Sequence, residues 1–486
     1  MKRIASLILI AAMLLTISVF PAAADEPVEL VIYTNALDNG FPLDISQDWM
    51  HDRILEATGV SIIISKVDDY YTVMGQRLAG GDMPDLMRAD SLHMRLWQKE
   101  GMLKDLTPYI DTELAELIKW CGDVNMTPFY TEGKLFALPK AYVNAKSYLT
   151  LNIRTDWLEK LNLQVPTTVQ ELYDVAYAFD HNDPDGNGTD DTYGITSQKG
   201  FFAYDAICGA YDTALGNYVI IRDGKVTNAL LQPGMKDALV WCKKFQEDGL
   251  IDAECYTTSG TNRAKSGEFG IILVQCSSLY KQAYLDQIAA INPNAVWNAH
   301  GGLQSEVGAE SILSPLDIVV DNAYCVSADI TEEKLAGLFR VVDFLISEEG
   351  QNLVFFGEEG IHWNKDENGV IHMSDRASEA NYIPTYQLFG RDEAYYLETK
   401  FPEAWTEFQQ SMVTGRLEFY NGLIEEPEHV YVSDMESYIN GELLNFIYGD
   451  RPLEEYDEFI QYLYDYYAFG DYMDKAAEDL AAQGLV

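Results

Sequence analysis

VELVIYT, residues 28–34, opens the pattern that decides the fold. It is a β-branched, alternating run with the composition of a half-buried strand. Residues 48–58 then carry helical spacing and stop at Gly59, and VSIIIS (60–65) supplies a second strand. Another helical stretch runs toward Gly80 and Gly81, and PDLMR (84–88) reads as a third strand. Strand and helix in alternation predict an α/β fold with a mostly parallel sheet covered on both faces.

The same grammar continues outward. Thr168 and Glu171 form a capping box ahead of a helix whose Val169, Leu172, Val175, Ala176 and Phe179 make one apolar stripe. Leu335, Leu338, Phe339, Val342 and Leu345 repeat that design after Thr331, and from about residue 400 the chain reads as helical, acidic and rich in tyrosine. At the other end, Met1–Ala24 starts with Lys2 and Arg3, runs through an apolar core from Leu7 to Phe20 and closes on Ala22, Ala23 and Ala24. That is the layout of a cleavable export signal, and the apolar core falls short of the roughly 20 residues of a spanning helix. No cysteine follows it, so a periplasmic or extracellular product with no evident lipid anchor is expected.

The remaining chain exceeds the ~250–300 residues at which a single core stops growing, so at least two lobes are expected. With 77 acidic against 33 basic side chains the formal charge is −44. Such a field repels nucleic acid and anionic lipid surfaces, which argues against nucleic-acid partners and against direct membrane insertion after signal cleavage. The six cysteines (Cys121, Cys208, Cys242, Cys255, Cys276 and Cys325) form no CxxC, so neither a thioredoxin-like pair nor a zinc ribbon is signalled, and the disulfide pattern stays open.

DPDGNGTDDTYG, residues 183–194, concentrates like charges where nothing apolar is left to bury. Counting Asp183 as the first position, Asp183, Asp185 and Asn187 fall at positions one, three and five and Gly188 at six, the first half of an EF-hand loop. The Thr189 carbonyl would follow at position seven. The twelfth position is Gly194 rather than a bidentate glutamate, so Asp191, with Thr192 or water, would have to close the shell. A structural calcium ion is therefore expected here, against the alternative of a plain Asx-rich turn.

LNIRTDWLEKL (151–161), PTTVQEL (166–172) and the acidic loop, taken together, closely resemble the extracellular solute-binding proteins of family 1, the receptor subunits of bacterial ABC importers. LAGGDMPDL (78–86), EGMLKDLTP (100–108), GKLFALP (133–139) and GEEGIHW (357–363) resemble the family's recurring segments in the family's order. The resemblance implies a type II periplasmic-binding fold, two α/β lobes joined by crossing strands, and oligosaccharide as the commonest ligand. It implies lobe 1 at residues 25–150 and 324–365, lobe 2 at 151–323 and 366–486 with extra C-terminal helices, a permease pair as partner, and a monomer.

Ligands of open α/β sheets bind beyond the carboxyl ends of strands, which nominates TNALDN (34–39) and RADS (88–91) and within them Asn35, Arg88 and Asp90. Trp297, in a segment read as a loop, and Glu359 and Trp363, in a glycine-bracketed turn, complete the candidate ligand-binding set. Arg154 and Trp157 are read as packing beside the hinge. No HExxH, GxSxG, GxxxxGK[ST] or GxGxxG occurs, so no catalytic residue is nominated. A secreted glycoside hydrolase using two carboxylates, and a peptide-binding or sensor-feeding protein, remain as alternatives.

Overall fold

The computed structural model describes residues 27–143, 149–265, 267–275, 282–308, 316–317, 322–400, 402, 405–406 and 417–486. The export signal read at Met1–Ala24 and Cys276 lie outside them. The expected alternation is present at the amino end: β1 (Val28–Thr34), α1 (Trp49–Thr58), β2 (Val60–Lys66), α2 (Tyr70–Ala79), β3 (Leu86–Ala89) and α3 (Ser91–Lys99). The side chain of Asp48 caps α1, and Gly59 ends it in the left-handed region at φ 71°. A short strand, β4 (Ala137–Pro139), completes this part of the lobe.

The chain then builds a second unit from β5 (Leu149–Arg154), α4 (Thr155–Leu161), α5 (Val169–His181), β6 (Tyr193–Ser197), α6 (Met235–Glu247), β7 (Phe269–Gln275) and β8 (Trp297–His300). It returns through β9 (Ala323–Val326), α7 (Glu332–Ile346) and α8 (Glu348–Phe356), and ends on α9 (Val432–Tyr448), α10 (Tyr456–Tyr466) and α11 (Phe469–Ala482). Thr168 caps α5 by accepting from the Glu171 N–H, while the Glu171 carboxylate accepts from the Thr167 N–H.

Two sheets carry the two lobes, in the orders β2-β1-β3-β9-β4 and β8-β5-β7-β6. Both are mixed rather than mostly parallel. In the first, β1 pairs in parallel with β2 and β3, but β9 arrives from the other lobe and inserts antiparallel between β3 and β4. In the second only β7 and β6 are parallel, since β5 is antiparallel to both β7 and β8. The reason is connectivity: strands that cross between lobes enter each sheet from the opposite edge.

Each sheet has its own core. Leu30, Ile32, Val60, Ile62, Leu86, Leu338 and Val342 belong to the first. Leu151, Ile153, Phe179, Ile195 and Phe245 belong to the second, which also takes the buried faces of α9, α10 and α11. A third, smaller core gathers Phe269, Ile272, Val274, Trp297 and Ala299 with Phe356, Trp363, Ile371 and Tyr396. One boundary differs from the sequence reading, which gave all of residues 366–486 to lobe 2. Ala380, Tyr382, Ile383, Tyr386, Leu388 and Phe389 pack in the first core instead. The cause is a buried carboxylate: Asp48 accepts hydrogen bonds from Tyr382 Oη at 2.8 Å and Tyr386 Oη at 2.6 Å, which pins that segment to the start of α1.

Among the described residues no helix is long and apolar enough to cross a membrane. The five described cysteines are buried free thiols, with Cys208 Sγ and Cys242 Sγ 3.9 Å apart.

Candidate functional site

On lobe 1 the register across β3, β9 and β4 assembles a cationic notch. Tyr324 is the Cα partner of both Arg88 and Leu138, so the three side chains leave one face of the sheet. Lys140, two residues beyond Leu138, continues that face, and its N–H donates to the Asn322 carbonyl. Arg88 donates through Nη1 to Asn35 Oδ1 in the loop after β1. Its Nε is buried without a hydrogen-bond partner. Among the described residues Lys140 Nζ reaches the Pro384 carbonyl alone, at 3.5 Å. Burial pushes the Lys140 ammonium down to about 8; Asp38 pulls it back up, and Arg88 and Arg391 push it further down. Neither Arg88 nor Lys140 has a carboxylate at salt-bridge distance among the described residues.

On lobe 2 a pocket of about 490 Å³ opens beyond the carboxyl end of β6. Phe201, Phe202, Tyr218 and Tyr256 line it with Asp205 and Asn440. The four rings are half-buried, and Asp205 is buried. The turn that presents Phe201 and Phe202 needs Gly200, whose φ of +125° few L side chains adopt. Phe201 and Tyr256 meet with ring centroids 4.8 Å apart, and Tyr218 stacks on Phe419 at 4.3 Å.

The segment 419–422 joins these two features. Tyr420 N–H donates to the Val219 carbonyl on lobe 2. Ser91 Oγ, in the first turn of α3 on lobe 1, donates to the Gly422 carbonyl at 2.9 Å. The segment thus touches lobe 1 at Ser91, three residues after Arg88, and lobe 2 at Val219, next to Tyr218 of the aromatic pocket.

Of the six residues nominated from sequence, the structure joins Asn35 and Arg88 by a hydrogen bond, with Asp90 two residues beyond Arg88. Asp90 is already committed: its carboxylate caps α3 through the His93 N–H at 2.7 Å and holds His93 Nδ1 at 2.8 Å, while Tyr71 stacks on the His93 ring. Trp297 lies in strand β8 rather than a loop and is 8 % exposed. Trp363 is 2 % exposed, and its indole N–H donates to the Gly357 carbonyl at 2.7 Å. Both tryptophans sit in the third core, so their ring faces are spent on packing. Glu359 lines a polar hollow of about 810 Å³ together with Trp363, Arg53, Glu56, Glu348 and Glu358, none of them at the carboxyl end of β1 or β3. Arg154 and Trp157 stack on each other and are buried, the packing role expected of them. Sequence reasoning missed Lys140, Phe201, Tyr218 and Tyr256. The rule that chose TNALDN would have reached KGFF (199–202) had β6 been recognised as a strand facing the same cleft.

The acidic loop is tightly turned. Asp183 accepts from the Gly186 and Gly188 N–H groups, and Asp185 from the Asn187 N–H. The Asn187 amide donates to Asp185 and to both oxygens of Asp191, at 2.7 to 3.2 Å. It thus stands among the carboxylates and offsets their repulsion. Burial pushes the Asp185 carboxyl up, and its contact with Asp183 and the charge of Asp191 add to this. Thr192 departs from the expected ligand set: it is buried and its hydroxyl donates to the Phe179 carbonyl at 2.9 Å, pinning the loop exit to α5. Among the described residues no group of three or more His, Cys, Asp or Glu side chains is drawn together closely enough to hold a metal ion. The donors are all oxygen, the chemistry a calcium ion prefers, but the Asn187 amide N–H groups stand between Asp185 and Asp191 where a cation would sit.

Two mixed α/β lobes with separate cores, joined by strands that pass between them and carrying recognition groups at their shared edge, define a two-lobed binding protein. Residues 44–274 match the family of bacterial extracellular solute-binding proteins. Its members bind and release solutes and are not enzymes. The polygalacturonan/rhamnogalacturonan-binding protein YtcQ of Bacillus subtilis is 23 % identical over 403 residues, 79 % of this chain and 78 % of that one. The substrate-binding protein FusA of Streptococcus pneumoniae in complex with kestose superposes with a TM-score of 0.67 at 19 % identity, over 94 % of this chain and 99 % of that one. The calcium-free structure of the alginate-binding protein AlgQ2 gives 0.66 at 16 % identity, over 94 % and 98 %.

Proposed function

We propose that this protein is the exported receptor of an ABC importer that captures an oligosaccharide between its lobes and hands it intact to a membrane permease pair. The observation that carries the reading is the lobe 2 pocket, where half-buried rings of Phe201, Phe202, Tyr218 and Tyr256 stand beside Asp205 and Asn440. Ring faces stack on the C–H faces of pyranose or furanose units, and planar polar groups fix the hydroxyls. The relatives named for polygalacturonan and kestose agree with that chemistry. Ligand that touches both lobes only when they close shifts the population toward closure by its differential affinity. In this reading Met1–Ala24 is removed on export and the mature protein is monomeric.

Calorimetry against a panel of oligosaccharides and oligopeptides tests the proposal. Micromolar binding of a glycan that is recovered uncut supports it; binding of peptides alone, or steady cleavage of the glycan, overturns it.

We also propose that Asp183, Asp185, Asn187, the Thr189 carbonyl and Asp191 hold a structural calcium ion, with the Asn187 amide turned to present its oxygen. Calcium at about 100 times its dissociation constant would add roughly 2.7 kcal/mol of stability. A melting temperature that does not change between calcium and chelator would show the loop to be an Asx-rich turn.

A further inference from the structure

The chain is strongly acidic, with 77 carboxylates against 33 cations, so carboxylate partners for basic side chains are plentiful. Most of the others are paired: Arg77 with Asp82, Arg154 with Asp156, Arg222 with Asp212, Lys334 with Asp85 and Arg451 with Glu442 are examples. Arg88 and Lys140 are not. They stand on one face of the lobe 1 sheet, at the edge that meets lobe 2, and each has a single neutral protein acceptor. The Nε of Arg88 is buried with none. Leaving a buried guanidinium N–H unsatisfied is costly, and holding two cations together in a partly desolvated notch adds repulsion. Asp38 is the one carboxylate whose charge acts on Lys140, and it also accepts a hydrogen bond from Thr385 Oγ1 at 3.0 Å.

From this placement we infer that the oligosaccharide carries a carboxylate, and that Arg88 and Lys140 bind it while the aromatic pocket of lobe 2 stacks on the neighbouring sugar. The inference rests on the receptor reading above and narrows its ligand to uronate-containing glycans. A planar carboxylate matches the fork of a guanidinium, and a neutral acceptor at Asn35 leaves the rest of that fork free to take it. Lys140 adds a point charge beside it. The protein's overall field opposes such an anion at long range, so the notch acts only at contact distance. Recognition then depends on an ion pair formed in a closed, dry cleft, where it is stronger than at an exposed surface.

The test is calorimetric titration of the full mature chain with tetragalacturonate, with the same tetrasaccharide fully methyl-esterified, and with maltotetraose as a neutral reference. The acid form is expected to bind at least tenfold more tightly than the ester. Arg88→Gln and Lys140→Gln should each weaken the acid form at least tenfold, and should change the ester's affinity less than threefold. Circular dichroism and melting of both variants guard against a folding defect, and each variant alone suffices to test the notch. If the ester or maltotetraose binds as tightly as the acid and neither variant matters, the notch is not a carboxylate site although the receptor reading survives. If no glycan binds at all, both readings fall.

Discussion

Trp363 and Tyr256 make opposite demands on their surroundings although both are large aromatics. Trp363 is sealed in the third core with its N–H satisfied by Gly357. Truncating it leaves a cavity and an unpaired carbonyl, and we expect Trp363→Ala to cost about 3–5 kcal/mol in urea unfolding. Glycan affinity of the folded fraction should be unchanged. Tyr256 is half-buried and its ring packs on Phe201 at the edge of the pocket, so Tyr256→Ala should cost about 1 kcal/mol of stability or less. It should weaken glycan binding about tenfold, at the upper end of what an aromatic stack contributes; equal affinities would remove the stacking role. Lys140 makes a pH statement. Burial lowers its pKa to about 8, well below the value of an unfolded lysine. Between pH 8 and roughly 10.4 the unfolded chain therefore binds more protons at this site than the folded chain. This one group thus makes the fold more stable as pH rises through that window. An anionic glycan should show the reverse, binding less tightly from pH 7 to 9 as the ammonium is lost, and Lys140→Gln should flatten both profiles.

At the level of elements, the segment 390–392 and its partner 141–143 form a parallel pair beside the first crossing between lobes. Gly390 has φ +99°, and a Cβ there would lie 1.7 Å from the Ala141 carbonyl oxygen. The backbone cannot yield without breaking the pairing, so Gly390→Ala should destabilise the protein by at least about 2 kcal/mol, from strain and clash together. Thermal unfolding checks this, and a shift of under a degree would mean the pairing is dispensable. Asp48 shows how an element can be held by a residue distant in sequence. It caps α1 through the His51 N–H and at the same time anchors Tyr382 and Tyr386. This assigns residues 377–389 to lobe 1, although sequence order alone suggests the chain has already left it.

The proposed receptor works by closing its two lobes about a hinge. Two cores of comparable extent are linked by few segments, and at one described contact Ser91 Oγ and Arg95 Nη2 both donate to the Gly422 carbonyl, at 2.9 and 3.4 Å. Such an interface leaves relative lobe motion as the default. Small-angle scattering should therefore show a smaller radius of gyration with a bound glycan than without, and ligand should leave the profile unaltered in a variant that no longer binds. A ligand that binds tightly with no compaction would place the site on one lobe only.

Some of this was readable along the chain. VELVIYT is a strand from Val28 to Thr34, and the helix capped by Thr168 has its apolar stripe buried as spaced, because both depend on neighbours within a few residues. The family segments carried the two-lobed α/β plan, and Asn35 and Arg88 were reached by the rule that loops at strand carboxyl ends face the cleft. What lay beyond the sequence depends on distant pairings. The antiparallel entry of β9 beside Arg88, the reach of Asp48 to Tyr382 and the sealing of Trp363 join residues hundreds of positions apart or cores built from several segments. Among 31 tyrosines and eight tryptophans, composition cannot tell a packing ring from a binding ring. Only the tertiary structure decides, because what separates them is whether another side chain or open space lies against the face of the ring.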